Sequence, residues 1–205
     1  MHTLVLHEDP ISGNCYKIRL TAALLALPIE RRAYDIRKGE TRTPEFLSTV
    51  SANGRIPVLQ IDDRFLPESN AACHYLAHGS VLIPQDRFDQ ADMLRWMFWE
   101  QYNHEPNVAT LRFWRAFICE AALGDAQRDQ LAGKQAAGEA ALALMDEHLV
   151  GRHWFVGDLP SLADICLFAY THVATEGGFD LTRYAALTDW LERVRALPDF
   201  VPLSD

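Results

Sequence analysis

The 205-residue sequence has few of the features that mark secreted or metal-binding proteins. Its four cysteines, Cys15, Cys73, Cys119 and Cys166, lie far apart, so neither a disulfide framework nor a zinc site is predicted. The eight histidines are also spread along the chain. We therefore expect reduced thiols, no bound metal and a location in the cytoplasm.

Long apolar runs and an excess of basic residues are absent as well. No stretch of about 18 consecutive apolar residues occurs, so we expect no membrane-spanning helix. Residues 1–7 lack a basic segment followed by a long apolar stretch, so no signal peptide is expected. Lys and Arg number 19 against 28 Asp and Glu, a net charge of -9. This balance disfavours nucleic acid and anionic membranes as partners, because both attract basic patches.

Strand-like and helix-like patterns alternate along the first 80 residues in the order βαβαββα. Beyond a linker over 79–87 the strand signals almost vanish. Helices are then predicted at 88–119, where Pro106 should kink or break the helix, and at 126–149, 162–174 and 183–197. The sequence therefore predicts an α+β protein with an α/β domain over residues 1–80 and an all-helical domain over residues 87–205.

A hydroxyl stands where the first helix is predicted to begin, in the segment SGNCYK (12–17). A helix N-terminus offers unpaired N–H groups and a partial positive charge, which suit an anion, and a hydroxyl there can donate to a bound thiolate. In the alternative interpretation, Ser12 or Asn14 simply caps the helix. The segment alone leaves both interpretations open.

Two further segments suit an extended peptide with charged ends. A cis bond before Pro57 would turn the backbone N–H and C=O of Ile56 outward to pair with a peptide, whereas a trans proline would only begin an edge strand. Glu68 and Ser69 stand at a predicted helix start. Such a start binds a carboxylate while Glu68 holds an ammonium, unless the pair is a plain cap.

A fourth signal, Ser161 to Asp164, has the pattern of a capping box, in which the two side chains satisfy each other's backbone N–H groups. We interpret it as structural. It should start a buried helix, and its loss should cost roughly 1 to 2 kcal/mol.

Together these segments resemble the glutathione S-transferase family across nearly the whole chain. The resemblance rests on SGNCYK (12–17), RIPV (55–58), Glu68-Ser69 and SLADI (161–165), and WEQYNHEP (99–106) is similar to many bacterial members. It implies a thioredoxin-like N-terminal domain, an all-α C-terminal bundle and usually a homodimer. It also implies a detoxifying enzyme that uses glutathione as cosubstrate and activates its thiol for attack on a small apolar or aromatic electrophile.

The resemblance assigns roles to individual residues. Ile56 would pair with the backbone of glutathione's cysteine, ahead of a structural cis Pro57. Glu68 and Ser69 match the positions that hold the γ-glutamyl ammonium and carboxylate. Arg55 stands where Gln or Lys is common and can reach the glycine end of the tripeptide.

The chain departs from the family pattern at two positions. His7 lies where tyrosine-type enzymes are expected to carry the catalytic tyrosine, so the chain is more similar to serine-type members, with Ser12 as the catalytic candidate. Thr41, assigned to glutathione binding, stands where related enzymes often have a histidine for the glycine carboxylate. Lys38 and Arg42 are possible substitutes for that contact.

Asn14 and Cys15 remain alternatives to Ser12 at the thiol site. Asn14 is assigned to glutathione binding and would offer an amide donor. Cys15 as nucleophile would make the protein a thiol–disulfide oxidoreductase of the same fold. A further alternative is a non-catalytic binding module, which the intact Ser12 and Glu68-Ser69 disfavour.

The aromatic residues around Pro106 predict the electrophile site. A kink there would open space, and Tyr102, His104 and Phe113 flank it. We expect these three side chains to line a pocket for a flat or apolar electrophile, while most other aromatic residues pack in the core.

Overall fold

The computed structural model describes residues 2–204, which divide into two compact units. The first contains the residues up to Ser80 together with the segment from Leu197, and the second is Val81–Ala196. None of the described helices is long and apolar enough to cross a membrane. Within residues 2–204, no group of three or more His, Cys, Asp or Glu side chains is arranged to hold a metal ion.

The segment from Leu197 belongs to the first unit, whereas the sequence-based prediction placed it in the helical domain. Side chains of the first helix of that unit bind the backbone of this segment. Tyr16 Oη donates to the Val201 carbonyl across 2.7 Å, and Arg19 donates to the Leu203 carbonyl across 3.1 Å. These partners are more than 180 residues apart in the sequence, so no local pattern could reveal them.

The first unit is built on a four-stranded sheet in the order β2-β1-β3-β4. The strands are β1 Leu4–Glu8, β2 Glu30–Ala33, β3 Val58–Ile61 and β4 Arg64–Pro67. β1 pairs in parallel with β2 and antiparallel with β3, and β3 pairs antiparallel with β4. Leu6 and Leu59 face each other in this register and are completely buried, so they form part of the core.

Three helices complete the first unit: α1 Gly13–Leu24, α2 Pro44–Thr49 and α3 Ser69–Leu76. Thr43 caps α2, and Pro44 occupies its first turn, where a missing N–H costs nothing. Short 3₁₀ turns at Ile36–Lys38 and Glu40–Arg42 connect β2 to α2, and α1 packs beside α3. The predicted βαβαββα order and the thioredoxin-like fold class are confirmed.

The second unit is helical, as predicted. Its α-helices are α4 Arg87–Trp99, α5 Glu105–Arg112, α6 Asp125–Arg128, α7 Leu131–Leu149, α8 Leu162–Thr171 and α9 Ala185–Arg195. Short 3₁₀ turns lie at Glu120–Ala122, Ala174–Gly177 and Leu181–Arg183. All ten residues of α8 are buried, so this helix forms the centre of the unit. Phe155 packs edge-on against Trp96 and Trp190 with ring centroids 4.8 and 5.1 Å away.

The interruption predicted at Pro106 is a π-helical segment, Glu100–His104, between α4 and α5. Proline has no N–H to donate to the carbonyl one turn earlier, so the helical ladder must change near it. Close to the proline, the side-chain amide of Asn107 donates to the Asn103 carbonyl across 2.7 Å. A second π-helical segment follows α5 at Phe113–Ile118. The helix predicted over 126–149 is in fact two helices, α6 and α7.

Candidate functional site

Ser12 closes the turn between β1 and α1. Its backbone N–H donates to the Asp9 carbonyl across 3.0 Å, and its Oγ accepts from the Cys15 N–H across 3.4 Å. The side chain therefore caps α1 and is only half-buried. A hydroxyl that accepts a hydrogen bond keeps its own proton to donate. Ser12 can thus serve as cap and as donor to an anion, the two roles that the sequence left open.

Two polar contacts join α1 to α3. Ser69 Oγ donates to Asn14 Oδ1, and Lys17 Nζ donates to Asn70 Oδ1, each across 3.2 Å. Ser69 and Lys17 are buried, while Asn14 and Asn70 are half-buried. Lys17 and Asn70 were not among the predicted site residues. The signal that could have found Lys17 is its spacing of three from Asn14, which puts both on one helix face.

Glu68 precedes α3 in an unusual backbone conformation, with φ 73° and ψ 114°. A non-glycine residue in this region costs about 1–3 kcal/mol, and such residues cluster at binding and catalytic sites. The Glu68 side chain is exposed, whereas Ser69 beside it is buried at the start of the helix. The chain thus presents a carboxylate next to a helix N-terminus.

The Ile56–Pro57 peptide bond is cis. Pro57 is buried and Ile56 is half-buried, and β3 begins directly afterwards at Val58. Among residues 2–204, no group hydrogen-bonds to the backbone N–H or C=O of Ile56. Both groups are therefore available to pair with an extended peptide.

The loop with Thr41 packs against the turn before Arg55. Gly54 has φ +62°, and a Cβ there would lie 2.9 Å from the Thr41 carbonyl oxygen and 2.7 Å from a guanidinium nitrogen of Arg42. That guanidinium donates to the Asn53 carbonyl across 2.9 Å. The Thr41 side chain is buried, so it presents no exposed donor to a ligand. Arg55 is exposed at the same place and is better situated for that contact.

Cys15 is completely enclosed in α1. Burial raises the pKa of its thiol to about 12, although a hydrogen bond with Ser12 acts in the opposite direction. Because the thiolate is the reactive form, a thiol with this pKa is inert near neutral pH. The alternative in which Cys15 is the nucleophile is therefore disfavoured.

His7 lies in β1 in a satisfied structural environment. Its Nδ1 is 2.9 Å from Tyr34 Oη, and its Nε2 is 3.0 Å from Gln60 Oε1. The ring stacks on Tyr34 with centroids 5.7 Å apart. Burial lowers the pKa of His7, so the imidazole is neutral at pH 7. Through the contact with Gln60, His7 joins β1 to β3.

The three predicted pocket residues have very different environments. Tyr102 is 84% exposed, while His104 is completely buried with its Nε2 3.0 Å from the hydroxyl of Thr171 on α8. Phe113 packs on Phe117 with ring centroids 6.2 Å apart. The burial of His104 is at odds with its predicted place in a ligand pocket, since a core side chain offers no surface to a ligand. Tyr102 and Phe113 stay predictions.

The carboxylate of Asp164 accepts more hydrogen bonds than a capping box requires. Its oxygens accept from the Ser161 N–H at 2.9 Å and the Ser161 hydroxyl at 3.1 Å. They also accept from the Phe155 N–H at 3.0 Å and from Trp190 Nε1 at 2.9 Å. Asp164 therefore connects the start of α8 to α9 and to the loop that precedes α8. These bonds stabilise the fold of the second unit.

Two family models match this chain: "Glutathione S-transferase, N-terminal domain" over residues 11–78 and "Glutathione S-transferase, C-terminal domain" over residues 109–198. The sequence is 30% identical over 194 residues to the glutathione S-transferase-like protein LUC7 of Fusarium sp, a match that covers 89% of this chain and 84% of that protein. It is 26% identical over 194 residues to the disulfide-bond oxidoreductase YfcG of Escherichia coli (strain K12), covering 90% and 87%.

The fold has a similar counterpart among solved structures. The crystal structure of a glutathione S-transferase from Pseudomonas fluorescens Pf-5 matches with a TM-score of 0.92 and 42% sequence identity. The match covers 98% of this chain and 99% of that one. Both units are therefore shared with that protein.

Proposed function

Because the chain belongs to the glutathione S-transferase family, we propose that it is a glutathione transferase acting on a small apolar or aromatic electrophile. The observation that carries this proposal is the contact between Asn14 and Ser69, which links the N-termini of α1 and α3. Two helix starts held side by side suit a ligand with two separated anionic groups. A detoxifying role in the cytoplasm is part of the proposal.

The first unit offers a suitable group for each part of glutathione. The N-terminus of α3 with Ser69 would bind the γ-glutamyl carboxylate, and the exposed Glu68 would bind the ammonium. The unpaired backbone of Ile56 would pair with the cysteine residue. The exposed Arg55 would bind the glycine carboxylate, and Ser12 would face the thiol.

The proposed chemistry is stabilisation of the glutathione thiolate. A free cysteine thiol has a pKa of about 8.5, and lowering it by about two units takes roughly 2.7 kcal/mol. A hydrogen bond from the Ser12 hydroxyl to the anion contributes about 1.5 to 3 kcal/mol. The N-terminus of α1 adds about 0.3 to 1 kcal/mol. These two contributions together account for that shift. The thiolate then attacks the electrophilic atom of the second substrate.

A second candidate function is glutathione-dependent disulfide reduction, which the similarity to the oxidoreductase YfcG favours. With Cys15 buried, the nucleophile would be glutathione itself. Its thiolate would attack one sulfur of the substrate disulfide and release the other as a thiolate. A second glutathione thiolate would attack the mixed disulfide, forming oxidised glutathione and releasing the remaining substrate thiolate.

A homodimer is also proposed, and α4 offers a candidate surface for a second copy of the chain. Leu94 and Phe98 lie four residues apart on this helix and are 36% and 72% exposed. Such i, i+4 pairs of apolar residues form a continuous stripe. Light scattering should give twice the mass of one chain for the wild type, and Phe98→Glu should shift it toward one chain. A monomeric wild type would contradict the proposed assembly.

Calorimetric titration with glutathione, followed by turnover assays, tests the proposed function. One arm offers an aromatic halide as electrophile, and the other offers a small soluble disulfide. We expect glutathione to bind and the conjugation of the halide to exceed the background rate. Turnover of the disulfide alone would select the second candidate. Absence of glutathione binding to the wild type would contradict both.

A further inference from the structure

Lys17 lies in the middle of α1 with its side chain completely buried. Its Nζ donates to Asn70 Oδ1 across 3.2 Å. An ammonium removed from water is destabilising unless polar groups surround it, and a buried lysine is rare for this reason. The position of Lys17 therefore calls for a role that an apolar residue of similar length could not fill.

The hydrogen bond between Lys17 and Asn70 lies at the part of α3 where the proposed carboxylate site is. Asn70 directly follows Ser69 at the start of that helix. Asn14 holds Ser69, and Lys17, one turn further along α1, holds Asn70. The first two residues of α3 are thus both anchored by α1. Their backbone N–H groups belong to the first turn, whose N–H groups have no partner within the helix.

We propose that Lys17 is a positioning residue for the γ-glutamyl carboxylate of glutathione. It acts through Asn70, which it holds in place, and through its positive charge, which adds to the positive end of α3. Charge acts over several ångströms in a weakly screened interior, so direct contact with the ligand is not required. The inference rests on the proposed function, since it takes glutathione as the ligand of this helix start.

Two substitutions separate the charge of Lys17 from its hydrogen bond. Lys17→Gln keeps an N–H donor for Asn70 but removes the charge, and Lys17→Arg keeps both. Arg32→Gln, at an exposed position on β2, is the control for the loss of one positive charge from the same unit. Each variant is titrated by calorimetry with glutathione and with γ-aminobutyryl-cysteinyl-glycine, which lacks the α-carboxylate but keeps the ammonium. Both ligands carry the same free thiol, so any difference between them comes from the γ-glutamyl end.

We expect Lys17→Gln to weaken glutathione binding roughly tenfold and to leave binding of the analogue nearly unchanged. The Michaelis constant for glutathione should rise while turnover at saturation changes little. Lys17→Arg should restore the preference for glutathione, and Arg32→Gln should not alter it. Equal weakening of both ligands, or no weakening, would overturn the inference.

A second variant covers the case in which Lys17→Gln does not fold, as judged by its thermal unfolding. Asn70→Ala removes the group through which Lys17 acts and leaves the lysine in place. It should reduce the preference for glutathione in the same direction, and an unchanged preference would overturn the inference. Failure of the wild type to bind glutathione would instead contradict the proposed function, so the two failures are distinguishable.

Discussion

Ser69 Oγ donates a hydrogen bond to Asn14 Oδ1 across 3.2 Å, between residues 55 positions apart in the sequence. Each residue lies in the first turn of its helix, Asn14 in α1 and Ser69 in α3. Ser12 and Glu68 immediately precede those helices. The bond therefore limits how far the proposed thiol site can move from the proposed γ-glutamyl site.

Ser12→Ala should raise the pKa of the bound glutathione thiol by about one to two units, because the anion loses a hydrogen bond worth about 1.5 to 3 kcal/mol. Turnover near neutral pH should fall roughly ten- to hundredfold while glutathione still binds. Ultraviolet absorbance of the bound thiolate against pH measures the change directly.

Cys15→Ala and Asn14→Ala are the controls for that titration. The buried Cys15 should have no influence on the thiolate curve. A large shift in Cys15→Ala with none in Ser12→Ala would transfer the role to the cysteine and to redox chemistry. A shift in Asn14→Ala alone would identify a side-chain amide as the donor.

Glu68→Gln should raise the Michaelis constant for glutathione more than it lowers turnover. The proposed γ-glutamyl contact is remote from the reacting sulfur, so its loss removes binding that the ground state and the transition state share. Steady-state kinetics at varied glutathione concentration give both constants. Asp63→Asn, an exposed carboxylate in the hairpin turn, is the matched control. Equal changes in the two variants would contradict the assignment.

Asp164→Ala should lower the free energy of unfolding by about 3 kcal/mol or more, because it leaves the buried donors of Phe155 and Trp190 without an acceptor. For a chain of this size, the melting temperature should fall by about 6 to 12 °C. Ser161→Ala removes the capping hydroxyl alone and should cost about 1 kcal/mol. Calorimetry of both variants tests the difference, and equal losses would mean that the bonds to Phe155 and Trp190 contribute little.

The stability of the second unit should fall as the pH drops from about 6.5 toward 4. Burial lowers the pKa of His172 to about 4, and the positive charges of Arg195 and Arg112 act in the same direction. Between these values the unfolded chain binds a proton that the folded chain does not, so unfolding is favoured. This contribution to the free energy of unfolding is fully present above the unfolded pKa. Its complete loss lowers the free energy of unfolding by at most about 3 kcal/mol.

Urea unfolding at pH 7 and at pH 4.5 measures this dependence. His172→Gln should reduce the difference between the two conditions. The substitution should not abolish the difference, because burial also lowers the pKa values of His7 and His148. An unchanged difference in the variant would show that His172 titrates normally in the folded chain.

Much of the secondary structure in both units could be predicted from the sequence, since its signals are local. Ser12 caps α1 through a hydrogen bond to a residue three positions away, and Asp164 reaches back three positions to Ser161. The effect of Pro106 is also local, because a missing N–H disturbs the turn that contains it. Signals within one helical turn can be recognised in a single sequence.

The remaining features depended on contacts between distant segments. Burial, which only packing determines, makes Cys15 inert and removes His104 from any surface. The C-terminal segment joined the first unit through Tyr16 and Arg19, and Lys17 met Asn70 across 53 positions. The sequence by itself determined where most helices and strands lie and which residue types stand at their ends. The tertiary structure alone decided which of those residues are enclosed and which face one another, because solvent exclusion and long-range hydrogen bonds exist only after the chain has packed.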